Sequence, residues 1–418
     1  MKNLLRLLLL LSTATSMVSC NSGSSSSPAP TPSPTPTPTP APSPTPTPMP
    51  TPSPTPAPSV ANTTSVTVGS GYNGNSRNAP YITVTVCQPN TTVCQTLDSI
   101  LLDTGSVGLK IDQSQLSISL PAINQTGSSL PLSVCNLYGS GYAYATANYA
   151  DVYIAGEKAA NIPIQVIDDS STQSGVPSSC SSQGQFASLA NAGGRGIIGV
   201  NPIVNLSNSV NYIYTCSDGS CTPTTSGVPV PYLNVNPVGY FVQDNNGEII
   251  SIPNVPGNSS TNITGTITFG LDTENNNSVP GSVSSVLGDP TDFIGRFIAI
   301  SQGVSYKSMY DSGTNHWYFY DSSIPVCPST VYCLPNPVTW QSTVSSYNGS
   351  GSPITINASI ATPTQAYALM PFWGVQSSQG TGIYGLPFYY GKTVYLGFIN
   401  SQTTMGSGPT WGFVNNQL

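Results

Sequence analysis

Charge is scarce in this chain. Only 6% of its 418 residues are charged, with 9 Lys+Arg against 16 Asp+Glu, and His316 is its single histidine. No segment offers a basic face, which argues against nucleic acid as a partner. Catalysis built on an imidazole or a lysine is nearly excluded by the same scarcity. No Cys-x-x-Cys occurs and no second histidine exists to complete a ligand set, so no metal and no cofactor are expected. Long helical periodicity is missing too, which leaves strands and turns to build the fold.

Proline, serine and threonine are abundant, but mostly at one end. Residues 1–20 carry a short basic start (Lys2, Arg6), an apolar stretch from Leu7 to Leu11 and small residues before Cys20, the pattern of an export signal. Met-Val-Ser-Cys at 17–20 resembles a bacterial lipobox, which implies cleavage before Cys20 and acylation of that residue as a membrane anchor. Asn21 follows in place of the Asp associated with inner-membrane retention, so the expected location is the cell envelope at the outer membrane. Residues 21–64 are a Pro/Thr/Ser-rich linker with no apolar periodicity, unable to bury a core. The Pro run from Pro28 to Pro58 favours extended polyproline II and spans roughly 95 Å at about 3.1 Å per residue.

Alternating β-branched and aromatic segments begin at Ser65, as in SVTVGSGY, APYITVTVCQ, ADVYIAG and GTITFGLD, each bounded by Gly, Asn or Pro. An all-β fold with many hairpins is the expectation. Setting Cys20 aside leaves eight cysteines, an even number suited to disulfides in an exported chain. Three pairs are close in sequence, Cys87 with Cys94, Cys216 with Cys221 and Cys327 with Cys333; elimination then joins Cys135 to Cys180. CQPNTTVC reads as a hairpin loop tied at its base.

Two short segments carry the chemistry. SILLDTGSVGLKI places Asp103 at the end of an apolar run, ahead of Thr104, Gly105 and Ser106. YKSMYDSGTNHWY repeats the arrangement with Asp311, Ser312, Gly313 and Thr314. Each is followed by an apolar pair ending in glycine, Ile197-Ile198-Gly199 and Ile383-Tyr384-Gly385, so the chain reads as a diverged duplication contributing one carboxylate from each half. His316 follows the second copy and is expected to tune binding or to hydrogen-bond backbone rather than to catalyse, and Trp317, Tyr318 and Phe319 are expected to pack under the second loop. Asp151, Asp272 and Arg195 read as solvated or turn residues.

With both segments in view, the sequence resembles the two-lobed, pepsin-like aspartic peptidases over nearly all of residues 65–418. It is also similar to a group of bacterial secreted proteins carrying VCxPGxxxCQT before DTGS and a GLPFFxGR-like stretch near the end. Here those read VCQPNTTVCQT (86–96) and GLPFYYGK (385–392). The resemblance implies an N-terminal lobe at 65–235, a C-terminal lobe at 236–418 and a cleft between them. It implies that Asp103 and Asp311 are catalytic, that Thr104 and Ser312 cross-brace their loops, and that Ser106 and Thr314 bond the outer carboxylate oxygens. Gly105 and Gly313 would leave room for backbone N–H groups to approach. CNLYGSGYAYATANYADVYIAG (135–156) resembles the family's flap hairpin, with Tyr138 the first candidate for the flap tyrosine and Tyr142 the second. The family's Trp after the first motif is absent at Lys110 and its neighbours. The expected partner is a peptide or protein substrate, taken by a monomer. A catalytically inactive pepsin-fold lipoprotein acting in binding or inhibition is the alternative, and an adhesin on a proline-rich stalk a third possibility.

Overall fold

A computed structural model describes residues 61–416 except 140, 169–174, 210–211, 218–219, 328–329 and 364–365. The export signal, Cys20 and most of the linker lie outside the described residues. The fold is all-β, and its largest sheet mixes parallel and antiparallel pairs. Among the described residues the only α-helix is the single turn Ser178–Ser181.

The Ala79–Cys87 strand turns back into Cys94–Asp103 through the CQPNTTVC hairpin, with Cys87 opposite Cys94 and joined to it by a disulfide. From there the sheet closes on itself. Cys94–Asp103 runs parallel to Gly196–Val200, which pairs with Val107–Asp112; that strand lies parallel to Glu157–Ile167, which pairs with Gly141–Ile154. Gly141–Ile154 returns to Ala79–Cys87 and completes a six-stranded mixed barrel. Val84, Val86, Ile100, Leu102, Leu109, Ile111, Val152, Ile164, Ile198 and Val200 are almost fully buried within it. Burying each such side chain stabilises by about 1.5–3 kcal/mol.

The division expected after residue 235 does not interrupt the sheet. Thr63–Gly69 pairs with the barrel on one side and with Ile263–Phe269 on the other, leading on to Gly247–Ile252, Lys392–Gly397, Thr410–Asn415 and Ser284–Leu287. The strand starts at Thr63, two residues inside the expected linker, because the Asn62 side chain bonds Asp244 at 3.1 Å and the carbonyl of Phe269 at 3.1 Å and ties the chain down there. Beneath this sheet an aromatic core gathers Phe297, Tyr310, Trp317, Tyr384, Phe388 and Trp411; Tyr310 and Phe388 stack with centroids 4.1 Å apart.

All four expected disulfides are present: Cys87–Cys94, Cys135–Cys180, Cys216–Cys221 and Cys327–Cys333. Asp151, expected to be solvated, is instead buried. It accepts bonds from the N–H groups of Asn161 at 2.7 Å and Asn90 at 3.2 Å and pairs with Lys158 at 2.7 Å. Arg195 is half-buried: it pairs with Asp98 at 2.9 Å, bonds Gln115 and lies over the Tyr72 ring. Asp272 does occupy an exposed turn, accepting from Val279 and Thr404 N–H groups.

Candidate active site

Both aspartates leave the same local construction. Asp103 ends a strand running parallel to Gly196–Val200, opposite Gly199. The chain then reverses through Thr-Gly-Ser, and Val107–Asp112 lies antiparallel on the other side of Gly196–Val200 with Leu109 opposite Ile198. In the second copy Tyr310 bridges Tyr384 in parallel, and the Asp311 N–H donates to the Tyr384 carbonyl at 2.9 Å. Trp317–Phe319 then lies antiparallel on Ile383–Tyr384 and parallel to Gly374–Gln376. The corresponding parallel neighbour in the first copy is Glu157–Ile167, with Lys110 opposite Gln165. The apolar-apolar-Gly segments are thus the strands wedged between each aspartate strand and its continuation.

The two loops bring the carboxyl groups together. A methyl group added at Gly105 would stand 2.5 Å from the Asp311 Cγ, and one at Gly313 would stand 2.5 Å from Asp103 Oδ1. Each carboxyl therefore rests against the other loop's glycine, where no side chain fits. Asp103 Oδ1 accepts from Gly105 N–H at 2.8 Å and Oδ2 from the Ser106 hydroxyl at 2.5 Å. Asp311 Oδ1 accepts from Gly313 N–H at 2.9 Å and Thr314 N–H at 3.2 Å, while Oδ2 accepts from the Thr314 hydroxyl at 2.7 Å. Both aspartates are only 7% exposed. Burial and then the neighbouring charge of Asp103 push the Asp311 carboxyl well above the ordinary range, against the lowering bonds from Thr314 and Gly313. Like charges this close repel each other, which favours the neutral form of one carboxyl.

Thr104 and Ser312 bridge the loops reciprocally. Thr104 N–H donates to Ser312 Oγ at 3.1 Å and Ser312 N–H to Thr104 Oγ1 at 2.9 Å. Each hydroxyl donates onward to the opposite strand, Thr104 to the Tyr310 carbonyl and Ser312 to the Leu102 carbonyl, both at 2.7 Å. Tyr389 adds a hydroxyl 3.0 Å from Thr104 Oγ1, a partner that the sequence reading did not single out although it lies within GLPFYYGK.

Of the two candidate flap tyrosines, only Tyr138 lies near an aspartate, Asp103. In the hairpin formed by Leu132–Tyr138 and Gly141–Ile154, Leu137 stands opposite Tyr142 and Tyr138 opposite Gly141, so the two tyrosines point to opposite faces. Tyr142 packs against Phe186 and the Cys135–Cys180 bridge. Tyr138 has a buried hydroxyl with no partner, and its pKa is raised first by burial and then by the negative charge of Asp103. Beneath its ring, 5.9 Å from the centroid, lies the ammonium of Lys110. Lys110 is 2% exposed, donates to the Val107 carbonyl at 2.5 Å, and is pulled down to about 8 by burial, against the attraction of Asp103. Only its place in a strand of otherwise apolar or terminal residues could have singled it out. His316, held by Asn315 at 3.0 Å and packed on Trp373, is pushed by burial down to about 4 and is neutral above that pH.

The site thus contains two carboxyl groups brought together, a braced pair of loops, a buried tyrosine hydroxyl without a partner, and one buried cation. No curated protein matches the chain. A family model described as a protein of unknown function does match it, over residues 58–413, and the chain belongs to that family, DUF3443.

Proposed function

We propose that this protein is an aspartic endopeptidase that hydrolyses peptide bonds with a water activated between Asp103 and Asp311. The observation that carries the reading is the packing of each carboxyl against the other loop's glycine. In such a pair the ionised member takes a proton from water as the oxygen attacks the peptide carbonyl, and the protonated member donates to the carbonyl oxygen. The tetrahedral intermediate then collapses, the C–N bond breaks, and the nitrogen leaves with a proton returned by the pair. Gly105, Ser106, Gly313 and Thr314 orient the carboxyls, Thr104 and Ser312 fix their spacing, and Tyr138 offers its hydroxyl to the bound peptide. The doubled strand construction supports a two-lobed, pepsin-like arrangement with the pair at its cleft. Acylation at Cys20 and the proline-rich linker would hold the enzyme at the cell envelope.

The test is incubation of the full chain with an unstructured protein between pH 3 and 7, with and without pepstatin. Cleavage that disappears in both Asp103→Asn and Asp311→Asn is the expected result. Cleavage that survives both substitutions, or none at all by a folded wild-type protein, overturns the reading; in the second case a binding role is what is left.

A further inference from the structure

Each aspartate loop is followed by a carbonyl that a buried side-chain nitrogen caps, but the two caps come from different places. After Asp-Thr-Gly-Ser, the Val107 carbonyl accepts from Lys110 at 2.5 Å, three residues along its own strand. After Asp-Ser-Gly-Thr, the Asn315 carbonyl accepts from the Asn78 carboxamide at 2.9 Å, 237 positions away in the first half of the chain. Lys110 is 2% exposed and Asn78 is fully buried. The preceding carbonyls are held alike in the two copies, Ser106 by Asn201 N–H at 3.1 Å and Thr314 by Leu386 N–H at 2.7 Å.

Asn78 uses all the bonds a carboxamide can make. Besides Asn315, its nitrogen donates to the Met370 carbonyl at 2.8 Å, and its oxygen accepts from Met370 N–H at 2.6 Å and from the Tyr390 hydroxyl at 2.8 Å. Its own N–H donates to the Ala368 carbonyl at 2.9 Å. All of these partners lie in the second half of the chain. Tyr390 is the second of two adjacent tyrosines in GLPFYYGK; the first, Tyr389, reaches Thr104 at 3.0 Å. The two phenols thus hold two separate first-half segments, the loop of Asp103 and the turn of Asn78. A buried polar cluster with its members paired is rigid. Its grip on Asn315 lies one residue from Thr314, whose N–H and hydroxyl both bond the Asp311 carboxyl.

We propose that Asn78, held by Tyr390, is a positioning residue for Asp311: it reaches from the first half of the chain to fix the loop that presents the second carboxyl to the first. Its consequence for hydrolysis rests on the peptidase reading, whereas the placement of Asp311 does not. Lys110 caps the matching carbonyl from within its own strand, so the Asp103 loop is set locally and the Asp311 loop by a bond between the two halves. A misplacement of about 1 Å at a reacting group can cost about a hundredfold in rate.

The experiment compares the full-length wild type with Asn78→Gly and Tyr390→Phe, each labelled with carbon-13 at the aspartate carboxyls, and uses Asp311→Asn to assign the signals of the pair. Asn78 stands at φ 47°, which glycine adopts without strain, so Asn78→Gly deletes the side-chain bonds and keeps the turn. Burial and the charge of Asp103 hold the Asp311 carboxyl well above its ordinary range. A loosened loop admits water and carries Asp311 away from Asp103, so the upper titration midpoint of the pair should fall by at least about one pH unit in Asn78→Gly, and by less in Tyr390→Phe. For peptide cleavage, kcat should fall at least about tenfold in Asn78→Gly and about threefold in Tyr390→Phe, with KM within about threefold in both. A role confined to stability would move neither midpoint nor kcat at temperatures where the variants are folded. An unmoved midpoint or an unchanged kcat in folded Asn78→Gly overturns the positioning role; if that variant does not fold, the same result in Tyr390→Phe overturns it. A midpoint that falls while the wild-type protein cleaves nothing upholds the positioning role and counts against hydrolysis alone.

Discussion

Replacing Thr104 by valine keeps the side chain's shape and deletes one oxygen at the centre of the brace. That oxygen donates to the Tyr310 carbonyl, accepts from the Ser312 N–H and lies against the Tyr389 hydroxyl, at 2.7, 2.9 and 3.0 Å. Tyr310 O keeps a donor, since the Tyr389 hydroxyl also reaches it at 3.0 Å. The Ser312 N–H does not, and both Thr104 and Ser312 are fully buried. One stranded buried donor together with the lost bonds amounts to about 2–4 kcal/mol. Thr104→Ser keeps the oxygen and loses a methyl group, for about 1 kcal/mol. Urea unfolding with disulfides intact, followed by tryptophan fluorescence, measures both; peptide cleavage should fall at least about tenfold in Thr104→Val and stay within about threefold in Thr104→Ser. If the valine variant is as stable as the serine variant within about 0.5 kcal/mol, the brace does not hold the loops as argued.

Glu248, fully buried opposite Phe269 and Leu396 with neither carboxyl oxygen partnered, is pushed by burial well above its ordinary 4.5. The unfolded chain releases this proton first, so rising pH above that value favours unfolding. As pH rises above about 4.5 the stability of the wild type should fall relative to that of Glu248→Met, and parallel stability curves would refute it. Lys110→Met removes the one cation buried beside Asp103, so the pair should take up its second proton at higher pH. The acid limb of the cleavage profile is expected to move up by as much as about one pH unit, and an unmoved limb would sever Lys110 from the site.

Much of the site could be read along the chain because its requirements are local. A carboxyl presented at a strand end, followed by hydroxyl, glycine and hydroxyl, needs only consecutive residues, and it occurs at both Asp103 and Asp311. Cys87 and Cys94 face each other because a hairpin aligns them, which short spacing already suggests. The features that escaped depend on contacts between distant segments. Asp151 looks like a turn residue until Asn90, Asn161 and Lys158 close around it. Lys110 falls on the face that alternation with Val107, Leu109 and Ile111 assigns to polar residues, yet it is buried, because Asp103 and Tyr138, which lie near it, come from two other strands. Choosing between Tyr138 and Tyr142 required the hairpin register, since a shift of one residue exchanges the faces.

The same register exposes where the two halves part. Leu109 opposite Ile198 corresponds to Trp317 opposite Tyr384, so the residue after each, Lys110 in the first copy and Tyr318 in the second, occupies equivalent places beside Gln165 and Val375. A buried cation thus attends Asp103, while Asp311 has an uncharged phenol at the matching position and a histidine that is neutral above about pH 4. The backbone and hydroxyl bonds to the two carboxyls are nearly the same, so they do not distinguish the partners. The charge of Lys110 does, because a buried cation lies beside the first copy's loop alone, while burial and the neighbouring charge of Asp103 push the Asp311 carboxyl toward its neutral form. A duplicated scaffold supplies two equivalent acids; one lysine in the first copy is enough to make their surroundings inequivalent, which the proposed hydrolysis, with its base and its acid in the same step, would use.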